Sequence, residues 1–299
     1  MQEIIELLRE SGPLTGRKLL EKSRSDALFI WRICNRSEKI LTETIGKRYL
    51  RFDRQVEGFA RLSPSILREF LTYTVLGLDD DIENIKLKAM ELSRSIEKIS
   101  MDKFILSKEI ISRVVSSQKY HEEIKKKAVF IIAGDIVYSM AHRESRPESS
   151  TGKMVNGSDL DIIIITEDLP EDIIKELDRS IYHEKYYLLK MPAYREEIDY
   201  IIKDIDKVKQ QLSFNCFEFM VASKILDEGK LLFGSDYLFD SIKKILLEKG
   251  IPKKLADLKN TAISEREKAR SYLLETTGLI SQDEYKNLFY TTEETEEIF

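Results

Sequence analysis

The stretch Val155-Asn156-Gly157-Ser158-Asp159-Leu160-Asp161-Ile162-Ile163-Ile164-Ile165 places two carboxylates two residues apart at the start of an apolar run. Four consecutive isoleucines predict a strand covered on both faces. Because side chains alternate along a strand, Asp159 and Asp161 should project to the same side. Two like charges this close repel each other unless a cation lies between them. The paired carboxylates therefore predict a site for Mg²⁺ or Mn²⁺.

Two more apolar segments carry residues that could complete such a site. Val129-Phe130-Ile131-Ile132-Ala133-Gly134-Asp135 predicts a buried strand that leads into a glycine turn and a short helix, Ile136 to His142. A glycine at this turn lets backbone N–H groups approach a phosphate at the helix N-terminus. Glu197-Ile198-Asp199-Tyr200-Ile201-Ile202 predicts a third strand with a carboxylate in its middle.

This ordered set of a glycine turn, an Asp-x-Asp strand and a later acidic strand resembles the nucleotidyltransferase superfamily of the DNA polymerase β type. The resemblance covers roughly residues 128 to 235 and includes Ser223 to Gly234, which looks like the helix and turn that follow the third acid in that family. It implies an α+β fold with a small mixed β-sheet and flanking helices. It also implies transfer of a nucleoside monophosphate from a nucleoside triphosphate, expected to be ATP, to a hydroxyl acceptor, with release of pyrophosphate.

The same resemblance assigns roles to individual residues. The acids expected to be catalytic and to hold one or two Mg²⁺ ions are Asp159, Asp161 and Asp199. The residues expected to bind the nucleotide are Gly134, Asp135, Ser158 and Lys224. Lys224 is interpreted either as a contact to the triphosphate or as a solvated helix lysine.

Two features of the chain depart from the family's pattern. Asp135 follows the turn glycine where the family usually has Ser or Gly, and a carboxylate there would repel phosphate. Asp135 could instead cap the helix expected to begin at Ile136. The spacer between Gly134 and Asp159 is also longer than in the family, and residues 143–153 have a loop's composition. This insertion is interpreted either as a lid or acceptor-binding loop or as a surface segment without a role.

The chain has 299 residues, enough for two or three domains, and a formal net charge of −5. Residues 14–61 contain twelve Lys or Arg and six Asp or Glu, a local +6 that leaves −11 for the remainder. Such asymmetry suggests a module that faces nucleic acid or an acidic partner. Only two cysteines occur, in unrelated segments, which excludes a disulfide framework. With no apolar run of membrane-spanning length and no secretory pattern, we expect a cytoplasmic protein without a membrane partner.

Residues 1–62 have the pattern of three helices followed by two short strands. In the third helix Ala27, Ile30, Trp31 and Cys34 recur at helical spacing and should face a core. Two further stretches, 40–44 and 47–52, predict strands joined in a hairpin through Ile45-Gly46. This arrangement resembles a winged helix-turn-helix domain, with the third helix as the groove-reading element and the hairpin as the wing.

The resemblance implies nucleic-acid binding by the basic residues of the third helix and the hairpin. These residues are Arg32, Arg36, Lys47, Arg48 and Arg51. The alternative is a winged helix used for protein contacts, with these side chains merely solvated.

The sequence thus predicts a winged helix in residues 1–62, a helical connector in 63–127, the nucleotidyltransferase core in 128–235 and a C-terminal helical segment in 236–299. Within the connector, Ser63-Pro64 predicts a helix start and Gly77 its end. The acceptor stays open between a nucleic-acid end, a protein hydroxyl and a nucleotide. A non-catalytic nucleic-acid-binding regulator that retains the fold is the alternative function.

Overall fold

The computed structural model describes residues 1–23, 25–148, 151–276 and 278–290. The protein is α+β with several small sheets, as the sequence predicted. The chain divides into two compact units: the first unit is Met1–Ile96 with Leu258–Phe299, and the second unit is Glu97–Asp257. The boundaries of these two units differ from the boundaries of the four predicted segments.

The first unit begins with the three predicted helices. Its elements in chain order are α1 (Gln2–Ser11), β1 (Leu14–Thr15), α2 (Gly16–Ser23), α3 (Ala27–Arg36), β2 (Ile40–Thr44), β3 (Tyr49–Phe52), β4 (Ala60–Ser63), α4 (Ile66–Tyr73), β5 (Thr74–Leu78) and the start of α5 (Ile82–Ser116). Asp26 caps α3 by accepting a hydrogen bond from the Phe29 backbone. Ile30, Trp31 and Cys34 are buried in the core of this unit, which confirms the predicted core face of α3.

The predicted hairpin is wrong. β2 pairs antiparallel with β5, and β3 pairs antiparallel with β4, so β2 and β3 belong to different sheets. The predicted helix from Ser63 to Gly77 is also too long, because it ends at Tyr73 and residues 74–78 form β5. Every residue of β5 is buried between β1 and β2, and this tertiary pairing overrides the local helical pattern.

The second unit contains residues 128–235, the segment that was predicted as the core. After the rest of α5 come α6 (His121–Lys127), β6 (Ala128–Ile132), α7 (Asp135–Tyr138), β7 (Ser145–Pro147), β8 (Met154–Asn156), β9 (Leu160–Thr166), α8 (Glu171–Lys190), β10 (Ile198–Asp204), α9 (Ile205–Gln211), α10 (Phe217–Glu228), β11 (Lys230–Gly234) and α11 (Asp236–Glu248). The chain then continues through α12 (Ile251–Glu275) to α13 (Gln282–Glu284) and a π-helical segment, Tyr285–Phe289. The predictions of a helix end at Thr277 and of a frayed tail from Thr291 lie outside the described residues.

A mixed four-stranded sheet organises the second unit, in the order β10-β9-β6-β11. β9 is parallel to β10 and antiparallel to β6, and β11 is antiparallel to β6. All five residues of β6 are buried, and so are six of the seven in β9, which explains their unbroken apolar sequence. Asp161 is the exception in β9, and it is half-buried.

The structure corrects three further expectations in this region. The sequence pattern predicts one helix from Ile82 to about Ser100 and another from Ser107 to Lys127, whereas α5 continues unbroken to Ser116 and α6 begins at His121. Residues 230–234 form strand β11 beside β6, although they were expected to be part of a helix and turn. The insertion at 143–153 is not wholly a loop, because β7 and β8 pair as a short antiparallel ribbon. Across the described ranges, no helix is long and apolar enough to cross a membrane.

Candidate active site

Strand register brings Asp161 and Asp199 side by side. β9 and β10 are parallel neighbours, and Asp161 is the register partner of Asp199. One position before each strand begins, Asp159 and Glu197 share the side-chain side of Asp161 and Asp199, because side chains alternate along a strand. Two successive carboxylate pairs therefore lie at the N-terminal ends of these strands.

The glycine turn after β6 packs directly against Asp161. Gly134 has φ 69° and ψ −154°, a conformation that L side chains rarely adopt. A Cβ placed on Gly134 would overlap the Asp161 carboxylate. The Ala133 N–H also donates to the Asp161 carbonyl, at 3.0 Å. The turn thus needs glycine both for its backbone conformation and for its close approach to the acid.

Asp161 lies in a strongly negative environment. Burial, followed by the charges of Asp199, Asp135 and Glu228, raises the pKa of Asp161 to about 7, and Lys224 acts in the opposite direction. Burial also raises the pKa of Glu228, although Lys224 forms an ion pair with it at 2.6 Å and Tyr138 donates a hydrogen bond to it. One lysine therefore faces four carboxylates around this point.

Asp135 is held by Ser158, not by the helix that it begins. The Ser158 hydroxyl donates to the Asp135 carboxylate at 2.7 Å, and the His142 N–H donates to the Ser158 oxygen at 3.2 Å. The predicted capping role of Asp135 is wrong, because Gly134 is the N-cap of α7 and no side chain caps this helix. α7 ends at Tyr138, short of the predicted end at His142.

Asp159 is engaged by an arginine of the insertion. The Arg146 guanidinium, buried on β7, forms ion pairs with Asp159 and with Glu197, the latter at 3.0 Å. The Arg146 Nε–H also donates to the Gly157 carbonyl at 3.0 Å. The first carboxylate pair thus already has a cation between its members, whereas no ion pair with Asp161 or Asp199 is seen among the described residues.

A second buried cation, Lys103, contacts the turn that precedes Asp159. The Lys103 ammonium on α5 is almost fully buried and forms an ion pair with Glu196. It also donates to the carbonyls of Asn156 and Ser158, at 2.9 and 2.8 Å. All three ammonium donors are therefore used, which fixes the backbone just before Asp159.

The carboxylates fit a divalent cation only in part. Among the described residues, no three or more His, Cys, Asp or Glu side chains converge closely enough to make a complete metal site. Mg²⁺, however, is usually bound by one or two carboxylates together with substrate phosphates and water. The uncompensated charge on Asp161 and Asp199 suits that mode of binding. The Asp159 carboxylate is bound to Arg146 in this structure. The expectation that Asp159 is also a metal ligand stays a prediction.

The basic residues predicted to bind nucleic acid make other contacts in the first unit. Arg32 donates to the carbonyls of Leu273 and Gly278, and Arg36 donates to those of Leu274 and Thr276. Two carbonyl contacts each hold these guanidinium groups against the C-terminal segment.

The remaining basic residues do not lie on the hairpin that the sequence predicted. Arg48 forms an ion pair with Glu69 at 2.5 Å, and this contact raises the Arg48 pKa. Arg51 lies half-buried on β3, and Lys47 is exposed between β2 and β3. The predicted hairpin that was to carry Lys47, Arg48 and Arg51 is not formed, because its two strands belong to different sheets. Phosphate binding by these three residues stays a prediction.

Arg146, Lys103 and Glu228 are the site residues that sequence reasoning missed. Nothing in the loop-like composition around Arg146 indicates a buried guanidinium. Lys103 lies in the middle of a long charged helix and has no distinctive neighbours. Glu228 had a signal, since it follows Lys224 by one helical turn and is the last residue of α10. Comparisons of the chain with family models, curated proteins and solved structures gave no match.

Proposed function

We propose that the second unit is a metal-dependent nucleotidyltransferase that transfers a nucleoside monophosphate from a nucleoside triphosphate, ATP in the first instance, to a hydroxyl acceptor. The observation that carries the proposal is the contact between Gly134 and Asp161. A glycine with positive φ, at the end of one strand, lies against an acid whose register partner on the next strand is a second acid. This arrangement places a turn suited to phosphate beside a pair of carboxylates suited to a cation.

The residues divide the work as follows. Asp161 and Asp199 would hold Mg²⁺ or Mn²⁺, which when bound neutralises charge on the triphosphate and stabilises the entering and leaving oxygens. Gly134 brings the turn against Asp161, so a phosphate at the turn would lie beside the cation, and Lys224, which acts on the Asp161 pKa, supplies positive charge there. Asp135 is kept in place by its hydrogen bond from Ser158.

In the reaction the acceptor oxygen bonds to the α-phosphorus while the bond from that phosphorus to the bridging oxygen breaks. The electron pair of the broken bond leaves with pyrophosphate. Asp199 is exposed at the edge strand of the sheet and can accept the proton of the attacking hydroxyl. Nucleoside triphosphates are abundant in the cytoplasm, where we place the protein.

The pairing of Asp159 with Arg146 favours a second candidate, a regulator that binds nucleic acid without catalysis. If Arg146 keeps Asp159 from a cation, one acid of the Asp-x-Asp pair is lost to metal binding. We prefer the enzyme because Asp161 and Asp199 retain a site that one cation and a triphosphate can complete.

The test is incubation with each α-labelled nucleoside triphosphate and Mg²⁺ or Mn²⁺, with RNA, protein or nucleotide acceptors added separately. We expect a labelled product that needs both the metal and an acceptor. Asp161→Asn and Asp199→Asn should each lower the rate by about 100-fold or more, as expected for loss of a group that acts on the reacting atoms.

Two comparisons make the result specific. Asp240→Asn, at an exposed position of α11, is the matched control and should keep the wild-type rate. Asp159→Asn separates the two roles of that residue: a small loss indicates that Arg146 is its partner, and a loss equal to that of Asp161→Asn indicates metal binding. Labelled product in none of the combinations would favour the regulator.

A further inference from the structure

The second half of α8 and the segment after it expose a row of aromatic rings. Tyr182, Tyr186, Tyr187 and Tyr194 are all exposed, the middle two at 47% and 46%. Ile173, Leu177, Ile181 and Leu188 recur at helical spacing and anchor the opposite side of α8 in the core. The rings of Tyr187 and Tyr194 lie 6.2 Å apart between centroids. Such a row of rings outside the core is unusual on a surface helix, where apolar and aromatic residues normally face inward.

Positive charge surrounds these rings. Residues 179–195 contain four Lys or Arg and one acid, in a chain whose net charge is negative. The Lys190 ammonium lies 3.9 Å from the centre of the Tyr186 ring, and Lys190 together with Lys153 lowers the pKa of Tyr186. Tyr194 and Tyr187 are close enough to Arg113 to contribute to its raised pKa, after the larger effect of Glu184. The one acid, Glu184, is itself bound to Arg113 at 2.9 Å.

The aromatic row is joined to the candidate active site. The Asn156 side-chain amide donates to the Tyr194 carbonyl at 2.8 Å, and the Asn156 N–H donates to the Arg195 carbonyl at 2.8 Å. Asn156 ends β8, and its own carbonyl is fixed by Lys103. Two residues after Arg195, Glu197 contacts Arg146. The backbone that carries Tyr194 is therefore fixed to the turn that precedes Asp159.

We propose that this aromatic row, Tyr182, Tyr186, Tyr187 and Tyr194, binds the unpaired bases of a single-stranded nucleic acid that serves as the acceptor. Bases stack on exposed aromatic rings without regard to sequence, and adjacent Lys and Arg neutralise the phosphates of the strand. Charge complementarity favours this occupant, because the four Lys or Arg of residues 179–195 match the negative phosphates of a strand. The role of the strand as acceptor rests on the proposed nucleotide transfer, whereas binding of the strand does not depend on it.

The experiment measures the fluorescence anisotropy of a short, labelled, single-stranded RNA of mixed sequence with the full chain at low salt, in EDTA and without nucleotide. Replacing Tyr186 and Tyr187 singly with Ala should weaken binding by about 10-fold each, because each removes one stacking ring. The Tyr→Phe variants at the same positions keep the ring and should stay within about twofold of wild type. Tyr237→Ala, at a 78% exposed tyrosine on α11, is the control and should change nothing.

Charge is tested by Lys190→Gln, which should make the dependence of binding on salt shallower by about 0.7 if Lys190 neutralises one phosphate of a single strand. Any of three results would overturn the proposal. These are no binding of the strand by wild type, a loss of affinity with Tyr237→Ala as large as that of the Tyr186 and Tyr187 variants, or tighter binding of a duplex than of the single strand. If wild type binds the strand and Tyr187→Ala loses that binding, but no nucleotide transfer is found, the proposed binding surface stands and the proposed function is overturned. Transfer to a protein or a nucleotide by a chain that does not bind RNA would do the reverse.

Discussion

Replacing Asp161 with Asn should stabilise the metal-free protein, and more so at alkaline pH. Burial and three nearby carboxylates raise the pKa of Asp161 from 3.8 to about 7, so the folded protein holds this proton more tightly than the unfolded chain does. The stabilisation of the folded protein by this bound proton is fully present below the pKa of the unfolded chain and is lost as the pH rises through the pKa of the folded protein. The difference between 3.8 and about 7 corresponds to at most ~4 kcal/mol. Because Asp161 still reaches solvent, we expect screening to reduce the gain from Asn to ~2 kcal/mol.

The assay is urea unfolding followed by circular dichroism in EDTA, at about pH 8 and about pH 5. Asp161→Asn should be more stable than wild type at the higher pH, and the gain should shrink at the lower pH, where the wild-type carboxyl is protonated. Asp240→Asn, at its exposed position on α11, should differ from wild type by less than ~0.5 kcal/mol at either pH. An Asp161→Asn protein that is no more stable than wild type at about pH 8 would refute the reasoning.

Three other substitutions test the architecture around the site. Gly134→Ala should abolish transfer and cost ~2 kcal/mol or more in urea unfolding, because its Cβ would overlap Asp161 in addition to the backbone strain. Gly152→Ala shares the positive φ but has open space around it, so an equal effect on activity would contradict the contact argument. Arg146→Met should cost ~3 kcal/mol, since it leaves Asp159 and Glu197 together without a cation, whereas the exposed Arg143→Met should cost little. If the two arginine variants unfold at the same urea concentration, Arg146 does not stabilise this pair. Arg32→Ala should lower stability by ~1 kcal/mol through its lost bonds to two backbone carbonyls and leave RNA affinity within about twofold, as checked by unfolding and anisotropy.

The N-terminal residues show where local pattern fails. α1, α2 and α3 follow from apolar spacing and caps that lie within a few residues of each other, and the sequence predicted them. β2 and β3 were also predicted as strands, but their partners were wrong. Each pairs with a strand further along the chain, because β-pairing depends on which apolar surfaces meet in the folded protein and not only on a short connection.

The sequence alone determined which residues of the candidate site lie on strands and which side they face. Alternation along a strand is a property of the backbone, so the shared side of Asp159 and Asp161, and that of Glu197 and Asp199, can be predicted without a structure. Register between β9 and β10 then made Asp161 and Asp199 neighbours.

Only the tertiary structure decided how the charges are distributed over those acids. Arg146 reaches Asp159 and Glu197 from an insertion whose sequence looks like a loop, and Lys103 reaches Glu196 from a helix more than ninety residues earlier. The interaction between charges depends on their distance and burial, and both are set by the packing of segments that are remote in sequence. For that reason the sequence predicted the pair of Asp159 and Asp161. It did not predict that Asp159 binds Arg146 while Asp161 lies beside Asp199.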